Sequence, residues 1–266
     1  MNHKLDRAYS SQLHIEHRQS GDVVIKSVPE RERKNEIYFH QQMKKHHFDH
    51  FDMVEEADHL VIEYIDDAET LQDVKSEENY RRFGEAVKNI HSIKAEHPSY
   101  MDQSGDEIGI DWTDFVLSRL DLAKSKQQLP EGFDQKTVDK LVASISQSEL
   151  LSPDSIVLLH GDLHVNNVIF KNDRVVVFDK ADQILFGEPM YDLALTVINL
   201  SGAVYGTGQK IESDKQFLRA FIEGYGTDFT TDMRKLDVYV LLRALERWPN
   251  PFEKNIPAIV AAILNK

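Results

Sequence analysis

Residues 155–179 constrain the fold of this chain more than any other stretch. A short apolar run, Ser155-Ile156-Val157-Leu158-Leu159, leads into the polar loop His160-Gly161-Asp162-Leu163-His164-Val165-Asn166-Asn167. Two β-branched and aromatic runs follow, Val168-Ile169-Phe170 and Arg174-Val175-Val176-Val177-Phe178, around the polar turn Lys171-Asn172-Asp173. Apolar runs of that kind flanking a polar turn read as a β-hairpin. The chain must therefore hold a loop that ends in a hairpin, with Asp162 at one mouth and Asp179 just past the second strand.

A carboxylate, an amide and a second carboxylate in this order suit ATP-dependent phosphoryl transfer. That reaction asks a protein for a carboxylate to orient a hydroxyl and accept its proton, and for oxygen ligands to hold Mg²⁺ against the phosphates. Asp162 fits the first task as a catalytic residue. Asn167 and Asp179 fit the second, because Mg²⁺ prefers hard oxygen ligands and takes only one or two from protein. Asp162 and Asn167 are five residues apart, the spacing of the kinase pattern H-x-D-L-x-x-x-N. His160 and His164 read as hydrogen-bonding supports of the loop. Asp192, at the start of the helical run Leu193-Ala194-Leu195-Thr196-Val197-Ile198, reads as an N-cap or as a brace for the loop.

The segment His160 to Asn167, then Asp179, then Gly187-Glu188-Pro189-Met190-Tyr191-Asp192-Leu193-Ala194, resembles the aminoglycoside phosphotransferase and choline-kinase-like family of small-molecule kinases. The resemblance is densest over residues 156–195 and can be traced from about residue 8 to the end. It implies an α+β, protein-kinase-like two-lobed fold with a small β-rich N-lobe holding one helix and a larger, mostly helical C-lobe. The nucleotide-binding lobe is expected over residues 1–66, a hinge at about 63–67, and the catalytic and acceptor-binding lobe over 67–266.

The N-terminal pattern agrees. Residues 12–28 alternate as a hairpin around Gln19-Ser20-Gly21-Asp22, and Pro29 opens a helix to about Lys45 with Ile37, Phe39 and Met43 apolar. Phe51–Glu55 and His59–Ile65 read as two more strands, giving β-β-α-β-β. Lys26 ends the strand Val23-Val24-Ile25, as in the V-A-I-K pattern, where a lysine reaches the α- and β-phosphates. Glu36 on the following helix is its expected partner, with Glu32 the alternative. No G-x-G-x-x-G precedes Lys26. In the family's phosphate-covering position this chain has Arg7-Ala8-Tyr9-Ser10-Ser11, so Ser10 and Ser11 are the candidates to offer N–H and hydroxyl groups to phosphate, and a first strand before them must be very short or missing. By the same analogy, the Glu63 carbonyl and the Ile65 N–H would read the adenine edge.

Helices are expected at 79–93, 112–126, 135–147, 192–201, 213–225, 232–247 and 256–265, with Gly202 to Gly208 a glycine-rich loop near the acceptor. The chain has 266 residues, 41% of them hydrophobic and 29% charged, and no cysteine. Disulfides and thiolate metal sites are excluded. The N-terminus is polar, with no signal-peptide pattern, and the apolar run 256–264 is short and broken by Pro257. A cytoplasmic location follows as an expectation. The net charge of −14, from 31 basic and 45 acidic residues, argues against nucleic-acid and anionic-membrane partners. It is compatible with a cationic acceptor, for which Glu223, Asp228, Asp232, Asp237 and Glu246 are candidates. Three functions stay open: phosphorylation of an aminoglycoside or related cationic antibiotic; phosphorylation of a small metabolite such as choline, an amino alcohol or a sugar; and a non-catalytic nucleotide-binding module. Monomer and homodimer are both open.

Overall fold

The computed structural model describes residues 12–125, 134–180, 183–206, 210–247 and 255–265. Its N-terminal part is an antiparallel sheet with one helix against it. Strands β1 (Gln12–Arg18) and β2 (Gly21–Ser27) form the expected hairpin, closed by a two-residue turn that Gly21 leaves at φ 120°. Helix α1 (Glu30–Lys45) follows Pro29, then β3 (Met53–Glu56) and β4 (His59–Glu63), in the order β1-β2-β4-β3.

The C-terminal part is mostly helical. A two-residue strand β5 (Glu69–Thr70) leads to α2 (Glu77–Ser92), whose first turn is capped by Ser76 accepting the Asn79 N–H at 3.1 Å. Strands β6 (Ser99–Met101) and β7 (Glu107–Gly109) precede α3 (Trp112–Ser125) and α4 (Gln135–Ser146). Then come β8 (Val157–Leu158), the hairpin β9 (Val168–Lys171) and β10 (Arg174–Val177), and β11 (Ile184–Gly187). The chain continues through α5 (Met190–Asn199), α6 (Ser201–Tyr205), α7 (Ile211–Tyr225), α8 (Met233–Arg247) and α9 (Ile256–Leu264). Two small sheets are formed, β10-β9-β5 and β7-β6-β11-β8.

The hairpin β9–β10 is hydrophobic on both faces, and that positions the site. Alternation sends Val168, Phe170, Val175 and Val177 into the large helical core, while Ile169, Val176 and Phe178 pack with Val28, Phe51, Leu60 and Ile62 beneath the N-terminal sheet. Each fully buried aliphatic contributes about 1.5–3 kcal/mol, so the hairpin joins the two parts of the molecule. Helices α2 and α7 cross so closely that a Cβ on Gly224 would stand 1.9 Å from the Arg81 carbonyl oxygen, and one on Gly84 2.2 Å from that of Phe221.

The structure departs from the sequence reading in four places. Gly202–Tyr205, expected as the start of a loop, belong to helix α6 (Ser201–Tyr205), ended by Gly206 at φ 63°. Residues 207–209 lie outside the described set. Strand β4 stops at Glu63, not Ile65. Strands β5, β6, β7 and β11 had no sequence signal: two to four residues are too few to show a period, and each is fixed by its pairing partner. Helix α5 begins at Met190, so Asp192 lies inside its first turn and is not its N-cap. Residues 1–11, where a first strand was in question, and Trp248 also lie outside the described residues.

Candidate active site

Strand β2 delivers Lys26, which is 6% exposed. Its Nζ lies 2.5 Å from Glu36 Oε2, two turns into α1, and 2.7 Å from Asp179 Oδ1. Glu36 is buried and also accepts the backbone N–H of Asp179. Burial works against the Lys26 ammonium, but the two carboxylates outweigh it and move its pKa upward. Burial dominates at Glu36 and moves its carboxyl up, with Lys26 opposing. Asp179 adopts φ 62°, a left-handed conformation that aspartate tolerates better than most residues. The partner of Lys26 is Glu36, not Glu32.

The catalytic-loop candidate runs from the end of β8 into β9. Asp192 reaches up from α5 and accepts the N–H groups of His160 and Gly161, both at 2.7 Å. His91 supports it, with Nε2 at 3.4 Å from Asp192 Oδ2 and Nδ1 at 3.0 Å from the Tyr225 hydroxyl. Asp192 is fully buried, which raises a carboxyl pKa, yet His91 and the loop N–H groups bring it below the usual value. Of the two expected roles for Asp192, the geometry is that of a brace.

His160 Nε2 donates to the Phe178 carbonyl at 2.7 Å, while Nδ1 accepts the Asp162 N–H at 3.3 Å. One imidazole thus ties both ends of the motif together, in the Nε2–H tautomer that these two bonds require. Burial lowers its pKa and keeps it neutral. Lys180, fully buried, donates to the carbonyls of His160 (3.2 Å) and Ile184 (2.5 Å).

Asp162 emerges from this frame partly exposed. Asn167 Nδ2 donates to the Asp162 carbonyl at 3.0 Å and lies 3.3 Å from Oδ2; Phe178 N–H closes on the Asn167 carbonyl at 2.9 Å. His164 Nδ1 accepts the Asn166 N–H at 3.2 Å and its Nε2 lies 3.5 Å from Asp162 Oδ2. Arg247 Nη1, from the last turn of α8, lies 2.7 Å from Asp162 Oδ1. Burial would raise the Asp162 carboxyl, but His164 and Arg247 hold it well below the usual carboxylate range. Arg243, one turn earlier, donates to the Gly161 carbonyl and stacks on the Tyr191 ring with its guanidinium 3.9 Å from the centroid.

Glu63 and Ile65 stand at the end of β4 and just past it. The Glu63 carboxylate grips Arg174 of β10 at 2.7 and 3.1 Å, and its N–H donates to the Asp52 carbonyl at 2.8 Å. Ile65 packs on the smaller apolar cluster. Ser10 and Ser11 lie outside the described residues.

Sequence reading missed Arg243, Arg247, His91 and Lys180. Arg243, Glu246 and Arg247 lie one turn apart on α8, so periodicity alone places them on one face. Nothing local tells that this face meets a loop 85 residues away. The acidic acceptor candidates are engaged elsewhere. Glu223 pairs with Arg81, Asp228 and Asp232 cap helix starts, and Asp237 accepts the Tyr205 hydroxyl. Glu246 is taken by Arg119, Arg243 and the Tyr191 hydroxyl. Among the described residues no group of three His, Cys, Asp or Glu side chains could hold a metal by itself. The donor set still fits a magnesium-like ion, because a carboxylate and an amide oxygen suffice when phosphates complete the shell.

A lysine–glutamate pair over one carboxylate, with a second carboxylate braced beside an amide, is the arrangement of a kinase-like phosphotransferase. The family model described as the phosphotransferase enzyme family matches residues 9–239, and the chain belongs to that family. No curated protein matches the chain in sequence. Among solved structures it is similar to a putative fructosamine-3-kinase from Thermobifida fusca, with TM-score 0.66 and 17% identity over 98% of this chain and 92% of that one. A thermostable mutant of aminoglycoside phosphotransferase APH(4)-Ia, in ternary complex with ADP and hygromycin B, gives 0.66 and 15% over 96% and 92%. Choline kinase LicA from Streptococcus pneumoniae gives 0.60 and 14% over 96% and 83%. The fold is protein-kinase-like, and the protein is a small-molecule phosphotransferase.

Proposed function

We propose that the enzyme moves the γ-phosphoryl group of ATP to a hydroxyl of a small molecule, with Asp162 as the catalytic carboxylate. The observation that carries this reading is the convergence of Lys26, Glu36 and Asp179 within hydrogen-bond reach of one another, on the hairpin whose other end carries Asp162 and Asn167. The acceptor oxygen attacks the γ-phosphorus, the bond to the β–γ bridging oxygen breaks, and ADP leaves. The acceptor proton passes to an Asp162 oxygen. A carboxylate with a depressed pKa is a weak base, so Asp162 orients the hydroxyl first and takes the proton late, as a loose transition state allows. Lys26 holds the α- and β-phosphates and Glu36 holds Lys26. Asn167 and Asp179 would hold Mg²⁺, which when bound neutralises phosphate charge.

The backbone of Ser10 and Ser11 and the groups at Glu63 and Ile65 are proposed for phosphate covering and adenine reading. The two lobes are proposed to part near residues 63–67. No described helix is long and apolar enough to cross a membrane, and the ATP requirement favours the cytoplasm.

For the acceptor, an aminoglycoside or related cationic antibiotic is supported by the acid excess. A small metabolite is favoured by a specific observation: Asp162 is already paired with Arg247, and of the acidic candidates Asp237 is held by Tyr205 and Glu246 by Arg119 and Arg243. Coupled measurement of ADP release against cationic antibiotics, amino alcohols, sugars and hydroxy acids tests the reading. It fails if wild-type protein and Asp162→Asn turn over the best acceptor equally well.

A further inference from the structure

Helix α1 is held from two opposite sides. One face presents Glu36 to Lys26 and to the N–H of Asp179. Arg31, Lys34 and Tyr38 recur at i, i+3 and i+7, so they share the face opposite Glu36. That face meets the C-terminal part of the molecule. Lys34 Nζ donates to the Ser104 carbonyl at 2.7 Å, the Tyr38 hydroxyl donates to Glu107 Oε2 at 3.3 Å, and Arg31 Nη1 donates to Gln183 Oε1 at 3.1 Å.

Ser104 and Glu107 belong to the β6–β7 hairpin, whose tip is fixed before Lys34 reaches it. Asp102 Oδ1 accepts the N–H groups of Ser104 at 2.8 Å and Asp106 at 3.0 Å. Gly105, at φ 80°, lets the stem of Lys34 lie against the turn, because a Cβ there would stand 2.1 Å from Lys34 Cδ. The buried Ser99 hydroxyl donates to Glu107 Oε1 at 2.6 Å and orients that carboxylate. The hairpin is part of the sheet β7-β6-β11-β8. Strand β8, at one edge, leads into the His160–Asn167 loop, and the hairpin at the other edge grips α1. One small sheet thus connects the loop that holds Asp162 to the helix that holds Glu36.

We propose that the β6–β7 hairpin is a clamp on α1, and that Lys34 and Tyr38 are positioning residues for phosphoryl transfer that act through Glu36 on Lys26. An ammonium is placed on phosphate only as accurately as the carboxylate that holds it. Glu36 moves with α1, so a shift of the helix moves Lys26. The inference rests on the phosphotransferase reading, in which Lys26 holds the α- and β-phosphates.

The test is titration of the full-length protein with a fluorescent ATP analogue and Mg²⁺, which needs no acceptor. The double variant Lys34→Met, Tyr38→Phe should bind nucleotide about five- to tenfold more weakly, the scale of one or two lost hydrogen bonds. Lys34→Arg keeps a donor, and Glu30→Gln removes only the Lys34–Glu30 pair along the helix; each should stay within about twofold of wild type. In a Glu36→Gln background the double substitution should add less than about twofold, because changes along one chain of contacts are not additive. Wild-type affinity in the double variant, or an undiminished loss in the Glu36→Gln background, would overturn the clamp and leave the phosphotransferase reading standing. Should the double variant not fold, Tyr38→Phe alone, with an expected loss of about threefold, runs the same cycle. Wild-type protein that bound no nucleotide would sink both.

Discussion

Arg247 and Asp162, 85 residues apart in the chain, meet at 2.7 Å and set the electrostatics of the site. The pair anchors the C-terminal end of α8 to the catalytic-loop candidate and, with His164, keeps Asp162 ionised.

Asp162→Asn keeps the shape of the side chain and removes its capacity to take a proton. Acceptor phosphorylation should fall by about 10²–10⁴-fold, with nucleotide affinity within about twofold of wild type. Steady-state ADP release and fluorescent-nucleotide titration check the two halves. A nucleotide affinity that collapsed together with the rate would place Asp162 in nucleotide binding instead.

Lys26→Met should weaken nucleotide binding and also destabilise the fold. It leaves Glu36, 2% exposed, as a buried carboxylate without its ammonium, a loss of about 3–5 kcal/mol. Adding Glu36→Gln should restore part of the stability but none of the nucleotide affinity. Urea unfolding and nucleotide titration of the single and double variants separate the effects; no recovery of stability in the double variant would refute the account.

Asp192→Asn should lower kcat more than KM for either substrate. Asparagine has one acceptor oxygen where the carboxylate uses two, so it cannot take both the His160 and Gly161 N–H groups in the same way. The buried N–H left behind costs about 1–3 kcal/mol. A variant with wild-type kcat would show that the loop does not depend on this brace.

Stability should begin to fall below about pH 6.5, where the unfolded chain protonates the imidazoles that burial keeps neutral at His40 and His160, and fall further below about 4. The folded-state carboxyls of Asp162 and Asp192 lie below their ordinary values. Their contribution is therefore fully present above the unfolded value of about 3.9 and is lost as pH falls towards the folded values. Glu36 has the opposite sign: its raised carboxyl erodes stability as pH rises just above about 4.3. Urea midpoints from pH 7 to 2.5 should decline less steeply in Asp162→Asn. An equally steep decline would mean that Asp162 is not depressed in the folded state.

Gly224→Ala should destabilise the packing of α2 on α7. The new methyl would stand 1.9 Å from the Arg81 carbonyl, and backbone on both sides must move, at about 1–3 kcal/mol. Thermal melting reads the shift, and an unchanged midpoint would show that the helices separate freely.

Much of the fold was legible locally. Helix α1 after Pro29, the body of α2 and the β9–β10 hairpin all carry their period within 10–20 residues, whereas the Ser76 cap that starts α2 two residues before the expected Asn79 was not read. Lys26, Asp162, Asn167 and Asp179 could be proposed from the sequence because phosphoryl transfer fixes both residue type and spacing, and the fold brings Lys26 to Asp179 and Asn167 to Asp162. The short strands β5 and β11 were not, since each exists only through a partner far along the chain. The glycine-rich stretch after Ser201 was read as a loop because its glycines signal breakage, whereas burial of Ser201 and Gly202 draws its first four residues, Gly202–Tyr205, into a helix.

The sequence by itself determined the reaction class, because its ordered oxygen donors and their spacing are local properties of the chain. Only the tertiary structure decided what surrounds them. The acid excess pointed towards a cationic acceptor, but whether a carboxylate is available depends on which partners the fold brings to it. Here folding pairs Glu246 with Arg119 and Arg243, Asp237 with Tyr205 and Glu223 with Arg81, and carries Arg247 to Asp162. Charge composition is additive along a chain, whereas the field at one oxygen is set by the few groups within several ångströms of it, and those are chosen by packing.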